Sequence, residues 1–104
     1  MRRLAFSDAA LDNLADIQNY IARESGRDVA EAVGENILAR CERLALLPGT
    51  LGTARPDLAA DIRSTPHRGY TLYFRYGLER LEVIAVLDAH RDAVAYFSDA
   101  FPGE

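Results

Sequence analysis

The second half of the chain alternates apolar and polar residues in the way that β-strands do. Between residues 70 and 76 every second side chain is aromatic or aliphatic, and the residues between them are Thr71, Tyr73 and Arg75. A period of two gives a strand one apolar face and one mixed face. The pattern predicts three successive strands within residues 62–64, 66–76 and 81–87, with turns at Pro66–Gly69 and Gly77–Arg80.

The first half has the periodicity of amphipathic helices. Apolar residues at positions 10, 14, 17 and 21 form one stripe, for which Ser7 or Asp8 supplies the N-cap and Gly26 the stop. The polar residues Asp12, Asn13, Asp16 and Asn19 fall elsewhere on the wheel. A second stripe at positions 30, 33, 37, 41 and 44 follows Asp28, which stands at the cap position of a capping box. The short link predicts an antiparallel helical hairpin, in which Gly34 lets the first helix approach closely.

The remaining segments complete an α+β order. Residues 2–6 are long enough for a short strand before the hairpin, and residues 49–60 carry the turn formers of a loop. Helices followed by strands indicate α+β, with the apolar strand at 81–87 in the centre of a mostly antiparallel sheet and the helices on one side of it. A short C-terminal helix is expected from Asp92 to Phe101. Its aromatic residues either form a surface for another chain or fold back over the sheet.

Composition limits the classes of protein to consider. The 104 residues fit one domain, 1–104, and no apolar run is long enough for a membrane span or a signal peptide, so a cytoplasmic protein is expected. Cys41 has no second cysteine to pair with, and with only His67 and His90 beside it no metal site and no cofactor are expected. The formal charge is -4, yet residues 62–75 hold three arginines, one histidine and no acid. An anionic partner would be sought at this basic segment.

Several short motifs along most of the chain resemble one known family. They are Leu14-x-x-Ile17-x-x-Tyr20-Ile21, Leu47-Pro48-Gly49, Arg55-Pro56-x-Leu58, Ile62-Arg63-Ser64, Gly69-Tyr70-x-Leu72-x-Phe74-x-Tyr76, and Val83-Ile84-x-Val86-Leu87 ahead of Arg91-Asp92. In this order and spacing they resemble toxins of the RelE/ParE superfamily, most closely its ParE branch. The resemblance implies the toxin of a type II toxin-antitoxin pair, which inhibits DNA gyrase and is neutralised by a ParD-like antitoxin whose C-terminal segment wraps it.

The resemblance, together with the basic segment and the aromatic C-terminus, gives two sets of candidate residues. Those expected to bind the target are Arg63, Arg68, His90 and Arg91, and those expected to bind the antitoxin are Tyr20, Tyr73, Arg75, Tyr96, Phe97 and Phe101. The chain departs from the ParE pattern at Leu87-Asp88-Ala89, where Leu-His-Gly is common, so that its histidine is displaced to His90. No catalytic residue and no direct sequence-specific contact with nucleic acid is expected.

Plainer roles remain open for several of these residues. Arg63 and Arg75 can pair with Glu82 across the sheet, Asp92 can simply begin a helix, and the tyrosines can be packing residues. Two other functions are also open. A ribosome-dependent nuclease of the RelE type would use His90 as acid or base, but the net charge of -4 and the lack of lysine disfavour RNA binding. A non-toxic module that only binds an antitoxin is the third possibility.

Overall fold

The computed structural model describes residues 2–102 and has the predicted α+β order. Its elements are β1 (Arg3–Phe6), α1 (Asp8–Ser25), α2 (Arg27–Leu46), β2 (Thr53–Ala54), β3 (Arg63–His67), β4 (Tyr70–Gly77), β5 (Arg80–Asp88) and α3 (Ala93–Ala100). The expected loop from residue 49 to 60 therefore contains a two-residue strand. Among the described residues no helix is both long and apolar enough to cross a membrane. Residues 1 and 104, the predicted domain limits, lie outside the described part.

The sheet has the strand order β1-β5-β4-β3-β2. β1 runs parallel to β5, and the other neighbours are antiparallel. β5 lies between β1 and β4, as its apolar composition on both faces predicts. β1, near the start of the chain, pairs with β5, near its end, and forms one edge of the sheet. The helical hairpin follows β1, so it begins at this edge and packs back over the sheet.

The helix boundaries follow from local capping. The Ser7 side chain accepts a hydrogen bond from the Ala10 N–H, at 3.0 Å, and Gly26 ends α1 with φ of 97°. Gly26 also occupies the N-cap position of α2, so the prediction that Asp28 caps this helix is wrong: Asp28 lies in the first helical turn, where its charge favours the helix dipole. The close approach expected at Gly34 is present, since a Cβ there would collide with the Gln18 side chain of α1.

The turn predicted at Pro66–Gly69 is shorter than expected. Only Arg68 and Gly69 form it, with φ of 49° and 88°, which are the two positive values of a type I′ hairpin. β3 consequently runs through Pro66 to His67. Pro66 opposes Thr71, one position before the His67–Tyr70 pair that closes the hairpin, so its nitrogen faces away from β4. On that outer side β2 pairs only with residues 63 and 64. A proline is tolerated there because no neighbouring strand needs its missing N–H.

Two apolar cores lie on the two faces of the sheet. The hairpin core contains Ala10 of α1 and Ile37, Cys41 and Leu44 of α2, packed on Leu72 and Phe74. The opposite core contains Ile62, Tyr73, Ile84, Ala85, Leu87, Ala93 and Phe97, with Leu58, Ala59, Tyr96 and Phe101 packed against it. The helices are therefore not all on one side, because α3 folds back over the face away from the hairpin. Phe97, the central aromatic residue of α3, is buried. Of the two alternatives for this segment, the structure therefore shows the one in which it folds back over the sheet.

Candidate functional site

β5 contains a bulge at the point where β1 ends. Phe74 pairs with Val83 and Tyr73 with Ala85, so Ile84 is an extra residue in β5. The backbone groups that β1 no longer reaches are bonded by the start of α1: the Ser7 hydroxyl donates to the Ile84 carbonyl at 2.7 Å, and the Asn13 side-chain oxygen accepts from the Val86 N–H at 3.0 Å. Ser7 thus caps α1 and holds the bulge with one hydroxyl.

Asn13 connects three elements, although sequence periodicity placed it among the polar residues outside the apolar stripe. Its side chain is buried and donates through its amide nitrogen to the Tyr96 hydroxyl of α3, at 3.0 Å, while its oxygen bonds β5. The Tyr96 ring in turn lies under the guanidinium of Arg91, with 4.9 Å from Cζ to the ring centroid. α1, β5, α3 and Arg91 are therefore held together at one end of the sheet.

A groove runs along this end between α1 and β5, and we call it the α1/β5 groove. It has a volume of about 220 Å³ and is lined by Asn13, Asp16, Ile17, Tyr20, Tyr70, Val86, Leu87, Asp88 and Arg91. The Tyr20 side chain is well exposed, at 59%, and Asp16 and Asp88 are exposed acids. Hydrogen bonds from the His90 backbone and ring lower the pKa of Asp88, which keeps this carboxylate charged. Burial raises the pKa of Tyr70, helped by the Asp88 charge.

A second and larger groove, the sheet groove, lies on the face that α3 covers. Its volume is about 430 Å³, and its lining is Thr53, Arg55, Ser64, Pro66, Thr71, Tyr73, Ala89, Arg91, Asp92, Ala93 and Val94. Arg55 forms a bidentate pair with Asp57, at 3.1 and 2.9 Å, which lowers the pKa of that carboxyl. The Arg55 guanidinium also lies 5.7 Å from the Tyr73 ring centroid. Arg91 lines both grooves, and within residues 2–102 its guanidinium forms no ion pair.

The four residues predicted to bind the target do not converge. Arg63 is used internally, since its guanidinium donates to the Leu51 and Gly52 carbonyls at 2.7 and 2.9 Å and so ties the loop to the sheet. Arg68 is exposed in the β3–β4 turn beside a small cavity against α2. His90 is 96% exposed and bonded to Asp88. Arg91 follows His90 in the chain and lines both grooves. It shares the α1/β5 groove with Tyr20 and the sheet groove with Tyr73, which are candidates of the antitoxin set.

The residues predicted to bind the antitoxin divide between the two faces. Tyr20 lines the α1/β5 groove and Tyr73 the sheet groove. Phe97 is buried and stacks edge-on against Tyr73, with 5.3 Å between centroids. Arg75 is paired with Glu82 at 3.0 Å, as its plainer role required, and lines a small cleft with Phe97 and Phe101. Tyr96 is half-buried on Asn13. Of this set, Tyr20 offers the largest exposed surface.

Sequence reasoning missed Asn13, Asp16, Arg55 and Asp88 as groove residues. Asn13 follows Ala10 by three positions and precedes Ile17 by four, so its place on the apolar stripe could have been found from helical spacing. Arg55 was part of a family motif but received no role. Asp16 and Asp88 carry no such signal, because their proximity depends on how α1 crosses β5.

His67 is a titratable residue at the C-terminal end of β3. Its Nε2 is buried without a hydrogen-bond partner among the described residues, and it lines a cavity of about 80 Å³ with Asn36, Arg68 and others. Burial lowers the pKa of His67, and the charges of Arg68 and Arg40 lower it further. Within residues 2–102 no group of three or more His, Cys, Asp or Glu side chains is arranged to hold a metal ion.

Comparison with known proteins gives a family and a fold. Residues 4–93 match the family described as the ParE toxin of the type II toxin-antitoxin system, parDE. A solved structure of a chromosomal ParDE toxin-antitoxin system from P. aeruginosa contains a similar chain, with a TM-score of 0.70 and 17% sequence identity over 85% of this chain and 96% of that one. No curated protein sequence matches the chain. The matched residues include α1, α2 and β5, and therefore every residue that lines the α1/β5 groove.

Proposed function

The chain belongs to the ParE toxin family of type II toxin-antitoxin systems, and from this premise we propose that it inhibits DNA gyrase by binding and is neutralised by a ParD-like antitoxin. The observation that carries the first part is the chemistry of the sheet groove. Its described lining offers the guanidinium groups of Arg55 and Arg91, several hydroxyls and one carboxylate, which caps α3. Cations and hydroxyls of this kind support binding and orientation of a partner.

A nuclease would need more than cations. Cleavage of RNA at the 2′-hydroxyl requires a proton acceptor and a proton donor near the phosphate. The carboxylate in the sheet groove, Asp92, accepts the Ala95 N–H as the N-cap of α3. His90 points into solvent with its ring on Asp88 and lines neither groove. The overall charge of -4 also disfavours the extended phosphate contacts that hold RNA.

The antitoxin is proposed to cover the groove that contains Tyr20 and Arg91. Exposed aromatic residues and arginines are the side chains that most often dominate protein interfaces. Tyr20 and Arg91 both line the α1/β5 groove, and Arg91 also reaches the sheet groove. An antitoxin segment bound there would occupy Arg91 and so compete directly with a target that needs the same guanidinium.

Supercoiling by purified gyrase with added toxin tests the target. We expect inhibition by the parent chain and by His90→Ala, because no proton transfer is required of this residue. Arg91→Ala should inhibit less well, while Arg27→Ala, at an exposed residue at the start of α2 that lines neither groove, serves as the matched charge control. Unimpaired supercoiling at micromolar toxin, with cleaved message on translating ribosomes and a 10²- to 10⁴-fold loss in His90→Ala, would instead establish the nuclease. No effect in either assay, with the antitoxin still bound, would leave the non-toxic module.

A further inference from the structure

β5 presents an unpaired edge beyond the end of β1. The N–H and C=O of one strand residue point to the same side, and residues two apart share that side. Because the Val86 N–H points away from β4 to Asn13, the Val86 C=O and the Asp88 N–H face the same way. Neither of these two groups has a hydrogen-bond partner among residues 2–102. The bulge at Ile84 causes this, since it sets which backbone groups of the last third of β5 face outward.

The α1/β5 groove lies directly along this edge. One wall is apolar and aromatic, formed by Ile17 and Tyr20 of α1 together with Tyr70. Asp16 and Asp88 place two carboxylates in the same groove against the one guanidinium of Arg91, which is stacked on Tyr96. The groove thus combines open main-chain hydrogen-bonding groups, apolar surface and a local excess of negative charge.

The outer edge of β3, on the opposite side of the sheet, is less suited to receiving a strand. Beyond the two residues paired with β2, the outer edge of β3 is Thr65–His67, and Pro66 offers no N–H there. Proline at such a position prevents regular pairing. The edge at Val86–Asp88 carries no proline and is bordered by side chains that would contact an added chain.

We propose that Val86–Asp88 of β5 receives an extended segment of the antitoxin as an added strand, and that this segment carries a lysine or arginine that lies between Asp16 and Asp88. The proposal rests on the proposed antitoxin partnership and specifies its location and chemistry. Main-chain bonds to Val86 and Asp88 supply affinity, and the acids select a basic side chain. The bound segment also closes over Arg91.

Amide hydrogen exchange of the toxin, alone and in complex with the co-expressed antitoxin of the adjacent reading frame, tests the added strand. In the toxin alone the Asp88 amide should exchange rapidly, whereas the Leu87 amide, which faces β4 opposite Thr71, should already be protected. In the complex the Asp88 amide should become protected by at least tenfold. The Leu87 amide serves as the internal control, because its partner is present in both states.

Two variants of Asp88 separate the contribution of its backbone N–H to antitoxin binding from that of its carboxylate. Asp88→Ala removes the charge and keeps the N–H, while Asp88→Pro removes both, and each loses the contact to His90 equally. We expect Asp88→Pro to bind the antitoxin about 5- to 100-fold more weakly than Asp88→Ala, the range for a strand hydrogen bond whose partner is left unsatisfied. Thermal melts should agree between the two variants. Equal affinities of the two folded variants would overturn the added strand.

A second matched pair of variants tests whether the acidic residues of the groove select a basic side chain of the antitoxin. Asp16→Asn should weaken the complex by about two- to fivefold at low salt, as an exposed ion pair does, and Asp12→Asn, an exposed residue of α1 outside the groove, should not. A complex that forms without protection of the Asp88 amide would overturn this inference and leave the antitoxin partnership standing. Failure to form any complex would overturn both. Protection of Asp88 in the toxin alone at rising concentration would assign the edge to a second copy and so contradict the proposal.

Discussion

At the scale of single residues, Asn13 shows how one buried amide can specify an arrangement that apolar packing leaves open. Its oxygen and nitrogen bond β5 and α3 at once. A buried polar group is costly unless both its donor and acceptor are satisfied, so the native arrangement is favoured over any in which α3 is shifted. Asn13 therefore orients Tyr96, and through its ring Arg91, at the junction of the two grooves.

Asn13→Leu should destabilise the chain by about 1 to 3 kcal/mol, because it leaves the buried Val86 N–H without an acceptor. Tyr96→Phe removes only the hydroxyl that Asn13 bonds and should cost less, about 1 kcal/mol. Urea denaturation of the three proteins measures both values. If Tyr96→Phe costs as much as Asn13→Leu, the bond to Val86 is not the main contribution of Asn13.

His67 gives the chain a pH-dependent stability. Its folded pKa lies below its unfolded value, so the unfolded chain binds the proton more readily. The contribution of neutral His67 is present above the unfolded pKa of about 6.5 and is lost as the pH falls through the lower folded value. The free energy of unfolding should decline as the pH falls below about 7.5, and His67→Gln should flatten this decline. An unchanged slope in the variant would assign the dependence to other groups.

At the scale of elements, local signals predicted the helices better than the sheet. The cap bond from Ala10 to Ser7 and the positive φ of Gly26 mark the ends of α1, and both depend on neighbouring residues alone. The turn begins two residues later than Pro66 predicts: proline usually signals a turn, but the nitrogen of Pro66 faces an edge where it needs no hydrogen-bond partner. The bulge at Ile84 and the pairing of β1 with β5 depend on contacts across most of the chain, and no local pattern encodes them.

Ser7 tests how far one cap supports two elements. Ser7→Ala removes the bond to the Ala10 N–H and the bond to the Ile84 carbonyl, so its cost should exceed that of an ordinary N-cap and reach about 2 to 3 kcal/mol. Asp92→Ala is the matched control, because Asp92 caps only α3, and should cost about 1 kcal/mol. Equal costs in chemical denaturation would show that the bulge does not need the Ser7 hydroxyl.

At the scale of the whole molecule, the sequence specified the cores more fully than the grooves. Periodicity identifies apolar residues such as Ile37 and Leu44 because burial follows hydrophobicity. Leu14, on the predicted apolar stripe of α1, is only partly buried at the border of the hairpin core. The grooves bring together residues as distant as Asp16 and Asp88, or Arg55 and Arg91, and are set by how α1 and α3 cross the sheet. Their composition follows from packing that no single segment determines.

The rate at which the Cys41 thiol is chemically labelled reports on the stability of the whole fold. It is fully buried in the hairpin core, and burial raises the pKa of its thiol to about 12, so at pH 8 the native chain holds almost no reactive thiolate. A disulfide reagent should therefore label the chain only through opening of the core. Labelling should be slow for the native protein and rapid in denaturant.

Leu44→Ala should accelerate this labelling by about 30- to 5,000-fold, because removing a fully buried leucine costs about 2 to 5 kcal/mol and the opening equilibrium shifts accordingly. Leu14→Ala, at the border of the same core, should accelerate it less. The comparison distinguishes global opening from local access. Rapid labelling of the native parent chain, or labelling rates that do not follow the free energy of unfolding of the variants, would mean that Cys41 is reached by a local movement of α2. A rate that follows the free energy of unfolding across the variants would instead show that the hairpin and the sheet open as one unit.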